Sequence, residues 1–296
     1  MWFLFALTAP FFLSLTNILD SLIMNMYERR PVVYLFYAGT VMTCMLLAFA
    51  CFVDIRSAWI LPIILTSILG YVGDLWYFRA LGRIDVSVVN AAWAILAIVI
   101  SIGGFVFFGE RWTLLQSAGA VVVLGGILFL CYYHADVSIV WTMGMFLAMS
   151  LFLAPMFLVQ KGAILAGDSA VAVAYWRIMG SNIPNVLVPF FRREWREGVR
   201  TLPSRVHADF FLVLIVVILL WFSGTYAVMR AYETGFVSLV SIVGNVQPFF
   251  VIGQSWLIAK ALPRYAPREL LTAQSVHVKL VSFAIVFVGL ALLAVG

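Results

Sequence analysis

Residues 77–130 read YFRALGRIDVSVVNAAWAILAIVISIGGFVFFGERWTLLQSAGAVVVLGGILFL. From Val86 to Phe108 there is no charged residue; Gly109, Glu110, Arg111 and Trp112 interrupt the run, and from Thr113 to Leu130 the charges are again absent. A hydrocarbon layer about 30 Å thick is crossed by about 20 helical residues, so the stretch is expected to be two membrane helices joined by a tight polar turn. The same rhythm continues in both directions. Spans are predicted at 2–24, 32–53, 58–81, 86–108, 112–133, 139–163, 168–191, 208–232, 236–260 and 276–295. Backbone polar groups in lipid must be satisfied within the segment, so blocks of this length are helices. A transmembrane barrel would show alternating segments of about ten residues, and these are absent.

Composition agrees. The chain is 65% hydrophobic and 10% charged, with a mean hydropathy of +1.09, whereas soluble domains carry about 25% charged residues. The net charge of +5 is no sign of nucleic-acid binding, because most basic residues fall in short loops where membrane orientation explains them. Cys44, Cys51 and Cys131 lie within or at the ends of spans with no metal-ligand spacing, so they read as small packing residues. Neither a metal site nor a cofactor is expected. Met1 to Asp20 lacks a basic leader, and Thr16, Asn17 and Asp20 interrupt its apolar stretch, which favours a retained first helix over a cleaved signal.

An offset of 151 residues places Gly73 on Gly224, Arg79 on Arg230, Ala80 on Ala231, Val86 on Val237, Ser87 on Ser238 and Val89 on Val240. After an insertion, Ala120, Val122, Gly125 and Leu128 meet Ala284, Val286, Gly289 and Leu292. Two repeats are therefore expected, residues 1–135 and 136–296, each of five helices. Five is odd, so the second repeat enters the membrane inverted, a recurring plan of secondary transporters. Loops after odd-numbered helices hold 13 basic residues and loops after even-numbered ones hold four, Arg56, Arg111, Lys161 and Arg230. The positive-inside rule then puts the odd loops in the cytoplasm and both termini outside the cell membrane.

Residues 77–130 also resemble the repeat of the EamA family within the drug/metabolite transporter superfamily. The resemblance rests on Tyr77, Ala80 and Leu81 ending helix three, a small-polar run from Ser87 to Asn90 opening helix four, Gly109 and Glu110 ending it, and Gly119, Gly125 and Gly126 in helix five. The second half follows more loosely through Ala231, Ser238, Pro248 and Gly289; Ala97 stands where the family often has proline, and the second half lacks the Gly–Glu pair. The resemblance implies a ten-helix carrier of two inverted five-helix repeats, with both termini in the cytoplasm, opposite to the charge count.

The sharpest candidate for a transport site is Arg177, in the middle of the seventh span, where an uncompensated charge costs at least about 2.5 kcal/mol. With Ser181 and Asn185 it forms a polar stripe. It either lines a cavity and binds an anionic substrate group, or forms a structural ion pair between helices. Asp74 on helix three pairs with it, takes up a proton or sodium ion to couple transport, or is a carboxylate near the interface; Asp20 is a second coupling candidate, with interface exposure as its plain alternative. Asn17, Asn90, Asn245 and Gln247 either line the cavity or bond between helices. Trp76, Tyr77, Trp93, Tyr175 and Trp176 are candidate aromatic walls. Pro155, Pro184 and Pro248 mark places where helices can bend, Glu110 reads as a helix-end or loop-fixing residue, and the basic segment 192–205 reads as resting on anionic headgroups.

These features point to a carrier moving a small metabolite or amphipathic compound by alternating access, as monomer or homodimer. A lipid or lipid-linked-sugar flippase is the alternative on the same fold. An intramembrane enzyme is disfavoured, because His134, His207 and His277 lie near loops and no acid–base cluster appears.

Overall fold

In the computed structural model, which describes residues 1–81, 93–133, 139–206, 208–261 and 273–295, every regular element among the described residues is a helix. In chain order these are α1 (Trp2–Met26), α2 (Pro31–Phe49), α3 (Ile60–Leu81), α4 (Trp93–Phe108), α5 (Leu114–Tyr133), α6 (Ile139–Leu165) and α7 (Ala170–Leu187). A 3-10 turn (Val188–Phe191) leads into α8 (Arg193–Thr201), followed by α9 (Ala208–Thr234), α10 (Val237–Gly244), α11 (Gln247–Ala261) and α12 (Ala273–Val295). Seven segments among the described residues are long and apolar enough to cross a membrane, one of them running through both α10 and α11; Ile95–Phe108 and Leu114–Phe129 are shorter apolar helices. The protein is thus a multi-pass membrane protein.

Two departures from the sequence reading matter. The predicted span 168–191 forms a helix, but Arg177, Asn182 and Asn185 make α7 too polar to count among the apolar seven. It lies in the bundle against α2, α3 and α9. Two glycines let it in: a Cβ at Gly39 of α2 would sit 2.7 Å from the Asn185 Cβ, and one at Gly180 of α7 would sit 2.9 Å from the Ile64 Cα of α3. The predicted span 236–260 is two helices rather than one, interrupted at Asn245 and Val246. Pro248 explains the interruption, since it has no N–H for the Gly244 carbonyl and its ring crowds that oxygen. The turn closes instead through short bonds, Asn245 N–H to Ile242 O and Val246 N–H to Val243 O, both 3.1 Å.

α1 packs on α9, α10 and α11; α6 packs on α3 and α4; α5 pairs with α12. The basic segment is helical where it forms α8, which lies against α2. Gly198 is buried beside Arg30 and Val33, and the Tyr37 hydroxyl donates to the Val199 carbonyl at 2.5 Å. Arg30, at the N-cap of α2, holds Glu28 through Nε and Nη2, both at 2.8 Å, and that bond raises the arginine's pKa.

Candidate functional site

Inside the bundle a cavity of about 240 Å³ is lined by α1, α2, α3, α4, α6, α7, α9, α10 and the α10–α11 break. Its polar residues come chiefly from α7, which contributes Arg177, Ser181, Asn182 and Asn185 on successive turns of one face. Arg177 makes no ion pair or side-chain hydrogen bond among the described residues, and its Nε is buried without a partner. The guanidinium lies instead over two rings, 5.2 Å from the centroid of Phe157 on α6 and 5.6 Å from that of Trp221 on α9. Cation–π contact softens the desolvation of the charge and leaves its donors available. The structural ion pair anticipated as one reading of Arg177 does not form: Asp74 also lines the cavity and interacts with the guanidinium electrostatically, but the two are not in contact.

Asp20 is buried and accepts a hydrogen bond from the buried Tyr34 hydroxyl of α2, so interface exposure is excluded for it. Tyr77 stacks obliquely on Trp93 with centroids 5.5 Å apart, and both line the cavity, as do Asn17, Asn245 and Gln247. Asn245 lies in the turn between the half-helices. Its Nδ2 donates to the Ser241 carbonyl at 2.8 Å, while its Oδ1 is buried without a partner. The Tyr77 hydroxyl, Asn182 Nδ2 and Asn185 Oδ1 are buried without partners too. Buried polar atoms are ordinarily satisfied, and an unsatisfied set around one cavity is what a polar ligand would complete.

Tyr175 is a correction. It does not line the cavity, because two residues along a helix turn it about 200° away from Arg177. It is buried beside Trp176, whose indole N–H ties α7 to the Ile55 carbonyl at 2.7 Å. Trp76 and Trp176 are likewise not on the wall, and Asn90 lies outside the described residues. Sequence reasoning missed Tyr34, Asn182, Phe157, Trp221 and Tyr232 as lining residues. Asn182 carried a signal, being polar and adjacent to Ser181 on the same helix; the aromatics carried none beyond their abundance.

Beside the cavity, two buried charges fasten the turn from α9 to α10. Gly109, with φ +62°, ends α4 in the left-handed conformation, and this folds Glu110 back against the bundle. The Glu110 carboxylate then accepts from the Val237 N–H at 2.6 Å, the Ser238 N–H at 3.3 Å and the Ser238 hydroxyl, capping the N-terminus of α10. Lys161 of α6 donates to the carbonyls of Tyr232 and Gly235 at 2.6 and 2.7 Å, at the C-terminal end of α9. Each charge matches the sign of the helix terminus it meets. Glu110 is a helix-end residue, as its position suggested; Lys161 is not in a loop but inside α6 and buried.

The helical multi-pass bundle thus surrounds a largely apolar, partly aromatic cavity with polar groups set into its wall. Residues 1–132 match the model of the EamA-like transporter family, and that match, with the run of apolar helices, supports a transmembrane transporter of the drug/metabolite transporter type. The chain is also similar to a protein of known crystal structure, over 98% of its own length and 94% of the other chain, with a TM-score of 0.68 and 16% identity, a likeness of fold. No curated protein matches it in sequence.

Proposed function

We propose that the protein is a secondary transporter that moves a small organic anion by alternating access, with Arg177 as the anchor for the substrate's charge. The observation that carries this reading is a guanidinium at the wall of the central cavity, with no carboxylate in contact and Nε unsatisfied. Arginine stays charged at any physiological pH, and a charge held this way in a membrane protein has its best counterpart in an incoming carboxylate or phosphate. The cavity, about 240 Å³, suits a small metabolite rather than a lipid-linked sugar.

Two inverted repeats, 1–135 and 136–296, are the frame for the motion. The packing supports them: exchanging the halves turns the α3–α6 contact into α9–α1, and α4–α6 into the contact of α10 and α11 with α1. The pairs α5–α12, α4–α10 and α2–α7 map onto themselves. The basic α8 shares an end of the bundle with Arg30, in line with the charge bias that puts this end in the cytoplasm and both termini outside.

The test is thermal unfolding of the purified protein with a metabolite panel: organic acids, amino acids, nucleotides, sugar phosphates, polyamines and prenyl phosphates. A ligand that binds only the folded state raises Tm with its occupancy. An anionic compound is expected to raise the Tm of the wild type and to leave that of Arg177→Ala unmoved. A folded Arg177→Ala that responds like the wild type removes Arg177 as the anchor.

A further inference from the structure

The cavity holds one cation and two carboxylates, Arg177, Asp74 and Asp20, so its formal charge is −1 before any substrate enters. Resting on the anion reading above, we propose that the substrate is a monocarboxylate with an aromatic or apolar body, and that it binds together with one proton, which Asp74 accepts as the carboxylate takes Asp74's place in the field of Arg177.

The two carboxylates are differently held. Asp20 is buried and already accepts a hydrogen bond from the Tyr34 hydroxyl. Asp74 has no hydrogen-bond donor among the described residues and is only partly buried, open to the cavity. What opposes its charge is Arg177, across a gap too wide for an ion pair. A monoanion arriving at Arg177 would raise the cavity's charge to −2 in a poorly solvated space, where like charges repel far more strongly than in water. Protonating Asp74 returns the cavity to −1 and leaves Arg177 to the substrate alone. Carboxylate and proton therefore enter as a neutral pair.

The other ionisable groups around Asp74 do not take over its role. Among helices packed on α3, α1 presents Asp20, α2 presents Tyr34 and α7 presents Arg177; Tyr37 of α2 bonds to α8, Tyr175 of α7 does not line the cavity, and Lys161 of α6 is occupied by the Tyr232 and Gly235 carbonyls. On α3 itself, Tyr71 and Tyr77 remain neutral phenols at physiological pH and Arg79 is exposed near its end. α4 contributes no ionisable residue among those described. The aromatic side chains of the lining, Tyr77, Phe78, Trp93, Phe157 and Trp221, fit the apolar body, and the unpartnered atoms of Asn182, Asn185 and Asn245 fit neutral polar groups on it.

The probe is phenylacetate, titrated calorimetrically into the purified protein in two buffers of different ionisation enthalpy, which counts protons. One proton taken up per phenylacetate is expected, with apparent affinity falling about tenfold per pH unit on the alkaline limb. Asp74→Asn is expected to bind phenylacetate with no proton uptake and no pH dependence. Binding by the wild type without proton uptake, proton uptake retained in Asp74→Asn, or a requirement for sodium at fixed pH each overturns the proposal. Absence of phenylacetate binding at any pH overturns the monocarboxylate assignment; if the metabolite panel still yields an Arg177-dependent ligand, the carrier reading stands without it.

Discussion

The 151-residue offset puts α4 in register with the pair α10 and α11, Trp93 on Gly244 and Ala97 on Pro248, and the two differ where they meet the cavity. α4 is helical from Trp93 through Phe108, and Ala97 is buried within it, whereas its counterpart stops at Gly244 and resumes at Gln247. One proline accounts for the difference, because Ala97 keeps the N–H that Pro248 lacks. The side chains diverge with the backbone. The intact helix offers Trp93, Leu96, Ala97 and Ile100 to the cavity; the broken one offers Val240, Ser241, Gly244, Asn245 and Gln247. The wall from α4 is apolar apart from the Trp93 indole, whereas the wall at the break carries Ser241, Asn245 and Gln247.

Three substitutions break or sharpen that comparison. Ala97→Pro imposes on α4 the fault its counterpart carries, and without the polar turn that accommodates it the cost is expected at about 3 kcal/mol or more, read as a fall in Tm. An unchanged Tm would show that the proline is not what separates the two helices. Glu110→Ala removes the cap that holds the start of α10, leaving the Val237 and Ser238 N–H groups and the Ser238 hydroxyl buried without their acceptor. A loss of about 2–3 kcal/mol is expected, with faster hydrogen exchange at those two amides; exchange as slow as in the wild type would mean that another group caps the helix. Pro248→Ala is the mildest, changing stability by about 1 kcal/mol or less. Its expected signature is slower exchange at Asn245 and Val246 as the two half-helices join, together with weaker ligand stabilisation. Unaltered exchange there would place the cause of the break elsewhere in the turn.

How much of this the sequence disclosed depends on the range of the interaction. Arg177 stood out because a charge in an apolar span is costly wherever it points, and the Gly109–Glu110 pair because a helix end has local rules. Pro248 announced a possible bend, and removal of one N–H made it a full interruption. The Asp20–Tyr34 bond was invisible, since it joins two helices whose relative rotation no local pattern fixes. Lys161 misled for a related reason: near a span edge it resembles a loop cation, and only the fold brings it the carbonyls of another helix's end. Tyr175 was an avoidable error, because the angle between it and Arg177 follows from helix geometry alone.

The pairing of α5 with α12 has a consequence for how the protein can drift. A Cβ on Gly119 would lie 2.7 Å from the Gly289 carbonyl oxygen, and one on Gly289 would lie 2.9 Å from the Gly119 carbonyl oxygen. Neither residue lines the cavity. A saturation scan of substitutions would nonetheless score both as intolerant, and a side chain gained at one would not be rescued by any change at the other, since each already presents bare backbone. Far apart in the chain, the two positions form a single constraint, and a contact outside the cavity wall is among the least free to vary.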